Sequence, residues 1–483
     1  LNKRMVRYVL SRILQIFGVL VLLPLFVSLL YQEPLRNQVS FLGTAALSSA
    51  IGFSLSRNSV SVGGMYAKEG FVIVSVCWVM LSFFGALPFV LSGEIPSIVD
   101  AFFETASGFT TTGASILNDV EVLSPSMLFW RSFTHLIGGM GVLVFALAVL
   151  PKTESESVHI MKAEVPGPVF GKLVSKLSSS ARILYVIYLA MTAATILLLL
   201  IGGLPLFDSV LLSFGAAGTG GFALRNGSIA PYDSLYVETV LGFAMLAFGV
   251  NFNLYFMLLS KHVKEVFTNE ELRWYLSIVA AAILLITANL VGTSQGLWTA
   301  LRDSFFTVSS VVTTTGYSTA DFGQWPLFSR LILLVLMFVG GMAGSTSGGI
   351  KVSRIAIMAK TAVAELKRTS YPNRVVSVHF EEKALDTKTI RSVVNYLVVY
   401  VFVFAVILLL VSLEMPDFIS AFSTVAATIN NIGPGMGVVG PLSSFSLYSP
   451  LNKVLLSFTM IMGRLEIFPI LILFSPSIWR RRA

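Results

Sequence analysis

Three consecutive threonines followed by a glycine occur twice in this chain, as Thr110-Thr111-Thr112-Gly113 and Thr313-Thr314-Thr315-Gly316. Each quartet closes a short apolar run with aromatics near its start, Ala101 to Gly113 and Ser304 to Gly316. Two weaker copies end in Gly218-Thr219-Gly220-Gly221 and Asn430-Asn431-Ile432-Gly433. In all four the last glycine stands twelve residues after the first residue of its run. Threonine adds a neutral hydroxyl acceptor, and glycine adopts backbone angles costly for other residues. An extended strand of such residues can turn its carbonyls to one axis, where they replace the hydration shell of a potassium ion. A unit that recurs four times sets the frame for the rest of the chain.

The surrounding sequence says where these segments sit. Of 483 residues, 55% are hydrophobic and only 12% charged; an average soluble protein is about a quarter charged. A multi-span membrane protein is expected. One cysteine, Cys77, excludes an internal disulfide or a CxxC site. Four scattered histidines form no HExxH-like pair. Ten apolar runs are long enough to cross a bilayer: 8–31, 38–56, 69–92, 126–150, 182–203, 235–259, 273–292, 327–349, 389–413 and 452–475. The first has a basic start and no small-residue cleavage site, and reads as an uncleaved span. The glycine segments lie between runs three and four, five and six, seven and eight, and nine and ten. Each is too short to cross and too apolar for a solvent loop, so each is expected to be re-entrant.

Charge orients the chain. With the N-terminus inside, the inner segments carry 26 of the 33 Lys and Arg and 11 of the 25 Asp and Glu. The overall +8 is therefore mainly positive-inside topology, and gives no reason to expect nucleic-acid binding. Both termini are predicted cytoplasmic, in a cytoplasmic (inner) membrane, with all four segments entering from outside. The predicted fold is an all-α integral membrane protein. Four fused span–pore-loop–span repeats surround a pseudo-fourfold pore, with two extra N-terminal transmembrane helices. The extra helices occupy residues 1–60. The repeats occupy 61–151, 152–262, 263–370 (with an interrupted second span) and 371–483.

Non-helical backbone at membrane depth is tolerated when it lines a cavity or is buried in protein. Four short helices whose C-termini point at one axis would place partial negative charge toward a cation. Segments of this composition also occur as turns or packing surfaces, but four copies at one offset on one side favour a pore. In the second copy either Gly220 or Gly221 could be the filter glycine, and the offset favours Gly221. Unequal quarters predict potassium preferred over sodium, less stringently than in a symmetric filter.

Other residues invite a role. Arg464 is alone in the apolar run 455–474. It reads as a positive barrier below the filter, with a buried ion pair as the alternative. Gly340, Gly341, Gly344, Ser345, Thr346, Ser347, Gly348 and Gly349 crowd into ten residues and will not hold a straight helix. They are read as a movable loop obstructing the pore, with small-residue packing as the alternative. Lys351 follows and could reach a cytoplasmic carboxylate. Gly138 to Gly141 has too few breakers for a loop and reads as packing. Glu104 is expected to be a hydrogen-bonding scaffold and His135 a buried packing residue. Asp100, Asp208 and Asp303 are expected at short-helix N-termini, for capping and dipole stabilisation, where they would also add to a negative vestibule. The basic segments 351–388, with Lys360, Lys367, Arg368 and Arg374, and 152–182 are positive-inside sequence or a docking face.

Together the Thr-Gly segments, Asn430-Asn-Ile-Gly-Pro-Gly435 and Met462-Gly-Arg-Leu-Glu466 resemble the Trk/Ktr/HKT superfamily of potassium transporters. The two extra N-terminal spans resemble the TrkH type rather than the KtrB type. The resemblance implies potassium as the substrate and a membrane homodimer with one pore per chain. It also implies a gating role for the 340–349 loop, and a cytosolic TrkA-like ring of nucleotide-binding regulatory subunits. No cofactor is expected on this chain, which has no Walker-type Gly-Lys-Ser/Thr motif. An alternative is a secondary active symporter coupling potassium to sodium or protons, which needs membrane carboxylates; Glu104 and Glu466 are the candidates. An enzyme would need a paired acid/base or metal cluster at one depth, and none is visible.

Overall fold

Uninterrupted apolar sequence forms long helices, and these frame the molecule. The structure is a computed structural model that describes residues 1–57, 67–141, 177–292, 296–371, 373 and 376–476. Residues 142–150 of run 126–150, most of the 152–182 segment, and Arg374 lie outside the described residues. Helices α1 (Lys3–Leu20) and α2 (Leu22–Leu30) together make one stretch long and apolar enough to cross a membrane. So do α3 (Leu35–Arg57), α4 (Ala67–Ser92), α7 (Leu177–Ile201), α12 (Glu270–Val291) and α16 (Thr387–Val411).

After α4, α7, α12 and α16 come four short helices: α5 (Ile98–Phe109), α8 (Leu206–Gly218), α13 (Leu297–Val312) and α17 (Phe418–Ile429). Side-chain caps start two of them, Ser97 accepting from the Asp100 amide at 3.3 Å and Asp417 from the Ser420 amide at 2.9 Å. Each then runs into its glycine segment and stops.

The helices that follow are α6 (Pro125–Gly139), α9 (Leu235–Phe248), α14 (Leu327–Val339) and α18 (Pro450–Arg464), of 13 to 15 residues each. Fifteen residues make only about 22 Å of helix. Of the ten expected spans only the eighth was expected to be interrupted; among the described residues six helices are long enough, or seven if α9 and α10 (Phe252–Leu259), bent by 92°, count as one. Among the described residues, three of these helices resume after a break, as α10, α15 (Val352–Ser370) and α19 (Phe468–Leu473). A short helix, α11 (Val263–Thr268), joins α10 to α12.

The breaks have tertiary causes. At residues 249–251 the freed carbonyls of Phe248 and Gly249 accept from the loop of residues 340–351. At 465–467, Glu466 and Ile467 take φ of 58° and 67°. Ile467 is β-branched, so that angle is held by its surroundings. Arg354 of α15 holds Glu466 in a two-point pair at 2.6 and 3.0 Å, with its guanidinium 4.0 Å from the Tyr396 ring centre. The Gly138–Gly141 stretch, expected to be packing within a helix, is also a helix end. Helix α6 stops at Gly139, and Gly141 has φ of 80°.

The core gathers where the N-terminal helices meet the first short helix. Phe17, Phe109 and Trp130 are buried, with ring centres 5.8 to 6.3 Å apart. The Trp130 indole donates to the Gly85 carbonyl at 3.0 Å. The strands β1 (His379–Phe380) and β2 (Lys383–Ala384) form a hairpin between α15 and α16.

Glu466→Ala leaves the Arg354 charge largely buried without its partner. It is expected to cost about 3 kcal/mol, read as a lower midpoint of thermal unfolding in detergent. The double change Arg354→Met, Glu466→Leu should recover most of the loss.

Candidate functional site

The four glycine segments are built alike. Each short helix ends with a residue in the left-handed region: Thr111 (φ 53°), Thr219 (52°), Thr314 (58°) and Asn431 (56°). The next amide bonds back to the fifth carbonyl before it: Thr112 to Ser107, Gly220 to Gly215, Thr315 to Ser310 and Ile432 to Ala427, all at 2.8 Å. This is a Schellman cap, whose left-handed position usually belongs to glycine. Placing threonine or asparagine there costs about 1 kcal/mol each. One residue later stand Gly113, Gly221, Gly316 and Gly433, with φ of 79°, 74°, 87° and 95°. Gly221 therefore occupies the equivalent place, and Gly220 corresponds to Thr112, Thr315 and Ile432.

These glycines meet in a closed circuit. A side chain on Gly113 would fall on the Gly220 carbonyl, one on Gly221 on the Thr315 carbonyl, and one on Gly316 on the Ile432 carbonyl. One on Gly433 would lie 2.7 Å from the Thr112 carbonyl oxygen, which closes the ring. All four glycines line one cavity of about 240 Å³, together with Arg131, Phe222, Arg225 and Asn226.

Each quarter is braced differently. Asn431 donates to the Thr112 hydroxyl at 2.9 Å, Thr112 bonds Thr110 at 2.7 Å, and Thr110 donates to the Ala106 carbonyl at 2.6 Å. Thr315, Thr313 and the Ser309 carbonyl repeat the last two links at 2.8 and 2.6 Å. In the fourth quarter the Asn430 amide donates to Ala426 at 3.0 Å, replacing the threonine, and Tyr400 donates to its oxygen at 2.9 Å. The second quarter has Gly218 and Gly220 instead, and side chains there would land on His135. That ring fills the space. Its Nδ1 lies 2.7 Å from the Gly108 carbonyl, and its Nε2 accepts from the Phe222 amide at 3.1 Å. The pattern requires a neutral ring with the proton on Nδ1, a brace between two quarters.

Glu104 is a scaffold of the same kind. It is buried, accepts from Ser115 at 2.9 Å and the Ile116 amide at 3.0 Å, and pairs with Arg131 at 2.5 Å. Arg131 also donates to the Ala223 carbonyl at 2.9 Å and lies 3.7 Å from the Phe222 ring centre. None of the three aspartates is an N-cap, but Asp100 and Asp208 lie in the first turn of their helices, where a carboxylate suits the helix dipole. Asp100 and Asp208 are the third residues of their helices and bind Lys453 and Tyr232 at 2.6 and 2.8 Å. Asp303 is the seventh residue of α13, which begins earlier than the pattern suggested.

The loop of residues 340–351 touches this assembly from one end. Its neck is pinched by Ile350 and Lys351 amides donating to Phe338 and Val339 at 3.0 Å. Gly340, Gly344, Gly349 and Lys351 take positive φ. The Gly348 amide donates to the Thr314 hydroxyl at 2.6 Å, and a side chain on Gly348 would fall on the Asn430 carbonyl. Gly341 is likewise pressed on the Ser347 hydroxyl, and the Ser345 and Ser347 hydroxyls bond each other at 2.6 Å. Lys351 turns back to donate to the Ser347 carbonyl rather than outward to a carboxylate. Arg464 donates to the Thr346 carbonyl at 2.6 Å and to Gly138 and Gly139 at 2.7 and 2.6 Å, tying the loop to the end of α6.

Sequence reasoning passed over Arg131 and Glu271. Glu271 accepts from the amides of Ala343 at 2.7 Å and Ser353 at 3.1 Å. A signal existed for Arg131 alone, as a charge inside the apolar run 126–150.

Comparison with known proteins gives one consistent result. The sequence model of the TrkH family, described as cation transport protein, matches residues 36–481. The chain is 37% identical to the "Trk system potassium uptake protein TrkH" of Salmonella typhimurium, over 96% of this chain and 97% of that one. It is 33% identical to the "Trk system potassium uptake protein TrkG" of Escherichia coli, over 99% of each. Its fold matches the crystal structure of the potassium transporter TrkH from Vibrio parahaemolyticus with a TM-score of 0.89 and 31% identity, covering 99% and 100% of the two chains.

Among the described residues the Thr111 hydroxyl has no hydrogen-bond partner, whereas Thr314 accepts from Gly348. Thr314→Gly should therefore destabilise more than Thr111→Gly, by about 1 kcal/mol. Thermal unfolding of the two purified variants checks the difference.

Proposed function

The chain belongs to the TrkH family of cation transport proteins, and from that premise we propose that it admits potassium to the cell through a selectivity filter. The filter is the ring of Thr110–Gly113, Gly218–Gly221, Thr313–Gly316 and Asn430–Gly433. The observation that carries this reading is the closed circuit of glycine against carbonyl. Four neutral oxygens gathered at one level, at the C-termini of four short helices, suit a cation that sheds its water to pass. Each span, short helix and broken span forms one of four repeats, with residues 1–60 added in front. One chain then holds one pore, within a homodimer in the cytoplasmic membrane and with both termini inside.

Flow is controlled beneath the filter. The loop of residues 340–349 lies against Thr314 and Asn430, where it would obstruct ions leaving the filter. Arg464 fixes the loop through Thr346 and adds positive charge at the same place. A cytosolic, TrkA-like nucleotide-binding ring would release it. Passive conduction is preferred to coupled symport. Glu104 and Glu466, the carboxylates a coupled mechanism would use, are both taken by arginines.

Rubidium uptake into proteoliposomes tests the filter. Gly113→Ser and Gly316→Ser are expected to lower the preference for potassium over sodium, and an unchanged preference in both would refute the assignment. Arg464→Ala is expected to raise flux, as is deletion within 340–349. A closed, folded deletion variant would rule out the loop as the gate.

A further inference from the structure

We infer that Glu271 is the residue that latches the loop in place, and that the hairpin at Glu381 holds the latch from the cytoplasmic side. The inference rests on the reading of residues 340–349 as the gate. Glu271 is buried in the first turn of α12. One oxygen of its carboxylate takes amides from two places ten residues apart: Ala343, within the loop, and Ser353, in the first turn of α15. A single side chain thus clamps the loop to the helix the loop leads into. The loop's ties to the break at 249–251 are the amide bonds of Met342 to Gly249 at 3.0 Å, Phe252 to Gly344 at 3.2 Å and Thr346 to Phe248 at 3.4 Å, with the Thr346 hydroxyl also donating to the Phe248 carbonyl at 3.2 Å. Each of those bonds ties the loop to the break alone, whereas the Glu271 carboxylate gathers amides from both the loop and α15.

The same residue is held from the hairpin. The Glu271 amide donates to the Glu381 carboxylate at 3.1 Å, and Asn269 donates to the same oxygen at 2.8 Å. The Glu381 amide donates to Glu270 at 3.1 Å, and Glu270 pairs with Lys360 of α15. The hairpin turn consists of Glu381 and Glu382 at φ of 52° and 59°. Asparagine and glycine are the usual residues in such a turn. Two glutamates there carry left-handed strain, and strain of this kind persists where surrounding contacts over-determine it. Here the contact is Glu381 on the start of α12. The path from the exposed turn to the loop is therefore three residues long: Glu381, Glu271 and Ala343. Movement of the hairpin by a bound regulator would act on the loop through the Glu271 carboxylate.

The test is regulator-free rubidium flux in proteoliposomes. Glu271→Leu keeps the volume and removes the acceptor, and is expected to raise flux about tenfold. Glu271→Gln keeps an acceptor oxygen and is expected to stay near the unaltered chain. Glu381→Ala is expected to raise flux in the same direction. In a chain lacking residues 341–348 none of these changes should add anything. If that deletion leaves flux unchanged, the gate reading fails. If the deletion opens the pore but Glu271→Leu and Glu381→Ala both stay closed, the latch fails and the gate reading stands. Reduced flux in both backgrounds would mark Glu271 as merely structural and also overturn the inference. If Glu271→Leu does not fold, Glu381→Ala decides by the same readout.

Discussion

Each of the four glycines leaves room for one carbonyl of the next segment, and the series returns to its start. Much of the fold follows from that contact. A side chain at any of the four would push apart two segments that come from distant parts of the chain. The short helices must stop abruptly to deliver the glycines to one level, so each ends in a Schellman cap with a non-glycine residue left-handed. That strain is tolerated because the neighbouring quarters leave the backbone no alternative.

Behind the ring, equivalence gives way to improvisation. Two quarters use paired threonine hydroxyls, one an asparagine held by a tyrosine, and one an imidazole reaching over from its neighbour. The common demand is a brace behind each short-helix end that holds its glycine in the ring. Different residues meet it, provided the backbone path is kept.

Part of this was legible from residues alone. Twelve-residue spacing and the glycines gave the four segments, and the glycine cluster at 340–349 gave the loop. The closed circuit was not legible, because it depends on which carbonyl meets which glycine. Nor were the broken helices. Of the three breaks among the described residues, the one at 340–351 is crowded with glycines, whereas Gly249-Val250-Asn251 and Leu465-Glu466-Ile467 are opened by hydrogen bonds and an ion pair from elsewhere. Propensity carries no information on such partners. Likewise the single charge of Arg464 was visible, but its three carbonyl acceptors lie on two other parts of the chain. Asp303 was misplaced because α13 starts at Leu297, without a capping side chain to mark it.

Among the described residues, a loop of this length springs from the third quarter and reaches its neighbour's carbonyls from there. Rings assembled from identical subunits repeat any such device around the axis, and opening then requires several matching movements. A fused chain can hinge a single flap on one side. On the proposal that residues 340–349 are the gate, its withdrawal would be one event with one set of bonds to break, and a single chain could open without waiting for matching movements around the axis.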